Sequence, residues 1–159
     1  MAEEKTNVMR VLDQKKVPYI PHSYPHGDTA PDGVTVARLT GVPQEQVFKT
    51  LVTEAASGKF YVFVIPVARS LDLKAAAKAV GEKSIAMLPQ KELLPLTGYV
   101  HGGCSPVGMK KPFPTVFHET AEILDRIMVS AGKIGFQIQC RPEDLLALVG
   151  ATTADVTVE

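Results

Sequence analysis

Val47-Phe48-Lys49-Thr50-Leu51-Val52, then a turn at Gly58, then Phe60-Tyr61-Val62-Phe63-Val64-Ile65 decide the fold. Each run is the length of a strand, and the second is the strongest strand signal in the chain. The intervening turn makes the two a hairpin. Apolar residues occupy both faces of each run, as expected of strands covered on both sides. Alternation puts Lys49 on the same face as Val47 and Leu51. An ammonium in such a row must reach water or find a partner, because burying it bare is costly. It therefore either snorkels to an edge or points into a cleft.

Upstream of the hairpin, Thr6 caps a helix reaching about Lys16, with Val8, Val11 and Leu12 on one face. Val17 to Tyr24 reads as an edge strand because of Pro18 and Pro21. Pro25 to Gly33 is a loop of turn residues, among them Gly27, Asp28 and Asp32, long enough to be a lid or a plain surface loop. Asp32 caps a short helix carrying Val36 and Leu39 that ends at Gly41. Pro43 opens a further turn.

Downstream, Asp72 caps a helix with Leu73, Ala76, Ala77 and Val80 on one face, stopped by Gly81. Ser84 to Met87 reads as a short strand and Pro89 to Leu94 as a helical turn. Gly98-Tyr99-Val100-His101-Gly102-Gly103-Cys104-Ser105-Pro106-Val107-Gly108 follows as a stiff loop with exposed backbone. Such a loop can offer N–H groups to an oxygen ligand, or simply be a tight turn packed on a neighbour. Short strands are expected at Thr115 to His118, Ile127 to Val129, Ile134 to Cys140 and Val156 to Val158. A helical turn is expected at Ala121 to Leu124, and a last helix from Pro142 to Gly150. Strands and helices without a regular βαβ rhythm predict one α+β domain over residues 1–159, built around a curved mixed sheet.

Several chemistries are excluded or weakened. Seventeen basic residues balance seventeen acidic ones, so nucleic acid can be held only at a local patch. Met1-Ala2-Glu3-Glu4-Lys5 has no apolar core of a secretory signal, and the longest apolar run is too short to span a bilayer. Cys104 and Cys140 form no CxxC, and no metal-ligand spacing is visible, so a reduced cytoplasmic setting without metal or cofactor is expected. Gly103 and Gly108 have phosphate-loop separation, but Met109 stands where the lysine should be and no Ser/Thr follows. Lys110 and Lys111 read as a solvated turn beside the loop. Cys104 with His101, and Ser130 with its Gly132 turn, lack the surroundings of a nucleophile. His22, His26, His101 and His118 read as surface or hydrogen-bonding residues.

Three stretches together resemble a family. Phe48-Lys49-Thr50-Leu51, Gly98 to Lys111, and Val129-Ser130-Ala131-Gly132-Lys133-Ile134-Gly135 stand in the order and spacing of YbaK/EbsC-type Cys-tRNA(Pro) deacylases. These are similar to the editing domain inserted in bacterial prolyl-tRNA synthetases. The resemblance implies a mixed sheet closed into a partial barrel with surrounding helices. It implies a trans-editing aminoacyl-tRNA deacylase that clears mischarged Cys-tRNA(Pro), with a prolyl-tRNA synthetase as a further expected partner and no membrane. Carried over residue by residue, the key lysine is Lys49, the loop glycine is Gly102 and the turn serine is Ser130, all catalytic. Tyr24, Gly103, Gly132 and Gln137 would contact the substrate, and Lys110, Lys111 and Lys133 the tRNA. Two departures bear on amino-acid preference: Pro25 to Gly33 lacks the loop aromatic, and Gln137 replaces an acidic residue. The family's mechanism, attack of the cysteine thiol on its own ester with thiolactone release, would explain the missing nucleophile. An Ala-tRNA(Pro) deacylase using water, and a non-catalytic tRNA or synthetase-binding regulator, remain alternatives.

Overall fold

The computed structural model describes residues 5–27 and 29–158; Met1 to Glu4, Asp28 and Glu159 lie outside the described residues. The hairpin is its centre. β2 (Phe48–Ala55) pairs antiparallel with β3 (Phe60–Pro66), Lys49 opposite Ile65 and Val52 opposite Val62. Val62, Phe63, Val64 and Ile65 are all fully buried. The period of two divides them. Val62 and Val64 face the larger core with Val8, Leu12 and Phe117, while Phe63 and Ile65 face a second core with Ala76 and Ala77. Burying one such side chain contributes about 1.5–3 kcal/mol, so the hairpin anchors both layers.

The helices start and stop where their caps dictate. In α1 (Asn7–Gln14) the Thr6 hydroxyl accepts from the Met9 amide. In α2 (Gly33–Thr40) Asp32 accepts from Thr35, and Gly41 closes the helix at φ +76°. Val36 and Ala37 are its buried residues, whereas Leu39 is 43% exposed and belongs to no core. α3 (Leu73–Val80) lies between Asp72 and Gly81, and α5 (Pro142–Val149) runs from its N-terminal proline to Gly150. α4 (Gln90–Thr97) is longer than the expected turn and continues through Pro95. It still closes because the Thr97 hydroxyl donates to the Leu93 carbonyl and the Gly98 amide to Leu94.

The expected single curved sheet, closed as a partial barrel, is corrected: the described strands form three sheets that do not close. A five-stranded mixed sheet runs in the order β5 (Ile85–Met87), β2, β3, β6 (Thr115–His118), β9 (Thr152–Ala154). A three-stranded sheet joins β1 (Tyr19–Ser23), β8 (Phe136–Cys140) and β7 (Ile127–Ser130), with β1 at the edge as its prolines demand. β4 (Ser70–Leu71) and β10 (Thr157–Val158) form a two-stranded ribbon. The first two sheets touch through one parallel bridge, Val47 to Met128. The Ala121 to Leu124 turn is a 3-10 helix over Glu119–Ile123.

This arrangement leaves an opening. β5 pairs only with Thr53 to Ala55, so the first half of β2 has no neighbour in that sheet on the side away from β3. Lys49 lies in that uncovered half.

Candidate functional site

A cavity of about 450 Å³ opens beside the uncovered half of β2. Its size suits a small ligand or one end of a large one. Tyr24, Lys49, Gly102, Ser130 and Gln137, which come from five separate segments, all line it. Ser130 and Gln137 meet because they are cross-strand partners in the β7–β8 ladder. Both are buried, as is Tyr24.

Lys49 is half-buried, and among the described residues its ammonium has neither a hydrogen bond nor an ion pair. Burial pushes its pKa down, since the charged form is the one that loses water. The lysine therefore points into the cavity as an unspent cation.

The glycine loop is held from behind. The Tyr99 hydroxyl donates to the Val107 carbonyl, the Ser105 hydroxyl accepts from the Val107 amide, and the Thr97 carbonyl accepts from the Lys110 amide. These bonds close the loop and push Gly102 to its tip. Gly102 has φ +87°, and a β-carbon there would stand 2.2 Å from that of Ala30. Glycine is required twice over, by the backbone region and by the Pro25 to Gly33 loop resting on it. Among the described residues the Gly102 amide donates to nothing within the protein.

Gly103 and Gly132 do not line this cavity. Gly103 is buried with its amide bonded to the Val100 carbonyl, and a β-carbon there would press on the Lys133–Ile134 backbone at 3.2–3.3 Å. Gly132 has φ +95° and packs on the Tyr99 ring and Val8, while its amide donates to the Ser130 hydroxyl at 3.1 Å. Together they lock the loop to the Ser130 turn. Gly132, Lys110 and Lys133 line a second cavity of about 270 Å³ near the start of α1. Lys111 is exposed and lines neither cavity.

Sequence reading marked the other wall only as a possible lid, without its residues. Ala30, Asp32, Gly33 and His101 line the large cavity, so the Pro25 to Gly33 loop and the start of α2 are part of the site. Asp32 was legible only as a cap; nothing in its local pattern shows which space it borders. Cys104 also borders the cavity, but burial pushes its thiol up to about 12. Burial thus favours the neutral thiol, the poorly nucleophilic form. Among the described residues no group of three or more His, Cys, Asp or Glu side chains could hold a metal ion. No helix among them is long and apolar enough to cross a membrane.

Residues 27–148 match the family described as the aminoacyl-tRNA editing domain. A protein of Enterococcus faecalis, named as a candidate Cys-tRNA(Pro)/Cys-tRNA(Cys) deacylase, EbsC, is 43% identical over 157 residues, covering 99% of this chain and 96% of that protein. The crystal structure of a candidate trans-editing enzyme for prolyl tRNA synthetase superposes with a TM-score of 0.82 at 26% identity, covering 96% of this chain and 95% of the other. A hypothetical protein of known structure shares the fold at a TM-score of 0.84 and 22% identity, over 95% and 99% of the two chains.

Proposed function

We propose, from the premise that the chain belongs to the aminoacyl-tRNA editing domain family, that it is a deacylase acting in trans on Cys-tRNA(Pro). One observation carries this: the cavity joins an unpaired lysine to a loop-tip glycine amide and a buried serine, while burial holds the thiol that lines it in the neutral form. Such a site suits an ester whose own acyl group supplies the attacking atom.

The cysteine sulfur forms a bond to its own ester carbonyl carbon as the thiol gives up its proton. The carbon–oxygen bond to the ribose then breaks, and the ribose oxygen takes a proton. The products are tRNA with a free hydroxyl and a cysteine thiolactone. The protein positions the reacting atoms and stabilises charge. The Gly102 amide is suited to the carbonyl oxygen as it becomes an oxyanion. Lys49 meets the ribose and phosphate end and favours departure of the ribose oxygen. Tyr24, Ser130 and Gln137 close the pocket around the acyl group, and Gly103 and Gly132 hold Gly102 and Ser130 in register. Lys110, Lys111 and Lys133 supply a local basic surface for tRNA. A prolyl-tRNA synthetase is a fitting co-partner, and the cytoplasm a fitting location.

Cys-, Ala-, Ser- and Pro-tRNA(Pro) presented to the purified protein test the reading. Cysteine should be released fastest and proline spared. Faster release of alanine would mean a water-based deacylase, and release of none would favour a non-catalytic regulator. Cys104→Ala should retain most activity, because the substrate brings its own thiol. Complete loss in a folded Cys104→Ala protein would show that the enzyme's thiol acts.

A further inference from the structure

Two formal charges border the large cavity without meeting. Among the described residues lining it, Lys49 is the one ammonium and Asp32 the one carboxylate. Neither forms an ion pair with the other or with any described residue. Asp32 sits at the mouth, exposed, with one oxygen accepting from the Thr35 amide at 2.8 Å. A carboxylate has room for about four such bonds, so capping leaves it free to take more. Hydrogen bonding by Thr35 also holds the carboxyl below its ordinary range, keeping it anionic at neutral pH. The cap itself does not require the charge, since Asn, Ser or Thr caps as well. Gln137 and Ser130, buried polar residues on the same cavity, have no charge to offer.

An aminoacyl ester carries the complementary pair. Its α-amino group carries positive charge when protonated and lies on one side of the ester carbonyl. Ribose and phosphate lie on the other. We infer that Asp32 is a specificity-determining residue that binds the α-ammonium of the aminoacyl ester, at the end of the substrate opposite the one Lys49 meets. The inference rests on the deacylase reading for its ligand. It gives the substrate one orientation, with cation toward α2 and anion toward β2, and places the ester carbonyl between them. It also excludes acyl groups whose nitrogen is blocked, such as peptidyl or formyl esters.

The test is binding, so that it does not depend on turnover. The probes are a non-hydrolysable 3′-(L-cysteinylamino)-3′-deoxyadenosine and its N-acetyl form, titrated calorimetrically into the full chain. The wild type should prefer the free amine by about 10- to 100-fold, the range for a charge-assisted bond. Asp32→Asn and Asp32→Ser keep a capping side chain and remove the charge. Both should lose the preference, with the cooperative melt retained at an equal or slightly lower temperature and unchanged binding of the N-acetyl probe. Asp32→Glu should recover part of it. A preference that survives in Asp32→Asn, or is absent from the wild type, overturns the assignment. Failure of the deacylation panel with this binding pattern intact would overturn the enzyme reading alone.

Discussion

Lys49→Ala should abolish deacylation while leaving the melting temperature unchanged or slightly raised. The lysine is half-buried mid-strand, has no described partner, and has its pKa lowered by burial. The unfolded chain, with an ordinary lysine, thus holds the proton more tightly than the folded one. Below the folded pKa the full desolvation penalty opposes folding. The penalty fades as pH rises through the window between the lowered pKa and the ordinary lysine value of 10.5. Removing the ammonium at neutral pH therefore relieves a cost and severs no hydrogen bond or ion pair among the described residues. Activity should respond in the opposite direction, since no other ammonium lines the cavity among the described residues. Lys49→Arg should not restore full turnover, because a planar fork replaces a compact point charge. Melting and turnover measured on one preparation decide it. Near-native turnover in Lys49→Ala, or a fall that only tracks the folded fraction, would make the lysine structural.

Gly102→Ala should lower turnover by about 100-fold or more, the range for loss of one oxyanion donor. The added β-carbon would stand 2.2 Å from Ala30 at φ +87°, so the loop tip or the Pro25 to Gly33 loop must move. Two effects can be separated. Ala30→Gly in the same chain removes the clash and leaves the unfavourable backbone region, which costs about 1–2 kcal/mol for a residue with a β-carbon. The double variant should regain part of the lost turnover, and its melting temperature should lie between those of Gly102→Ala and the wild type. If Gly102→Ala turns over normally, the loop tip is only a packing turn, and the oxyanion donor lies elsewhere.

The elements legible in the linear chain are those specified by neighbours in sequence. Thr6, Asp32 and Asp72 each bond amides two or three residues ahead, and Gly41, Gly81 and Gly150 each end a helix in the left-handed region. The β2–β3 hairpin is written in two near-continuous apolar runs on either side of one turn. Lys49 stood out for the same reason, as a charge interrupting a local pattern. The short strands were less legible: Ser70–Leu71 and Thr152–Ala154 are strands only because Thr157–Val158 and β6 lie alongside them. Nor could the division into three sheets be read, since it depends on how far β5 extends along β2. The site shows the same limit. The family resemblance marked Gly102, Gly103 and Gly132 alike, yet only the packing of Tyr99, Ala30 and the Lys133–Ile134 backbone puts the first on the cavity and the other two behind it. Asp32 looked like a cap and no more, because a cap is fixed by residues three positions away, while the space its charge faces is fixed by chain that arrives from Lys49, Gly102 and Ser130.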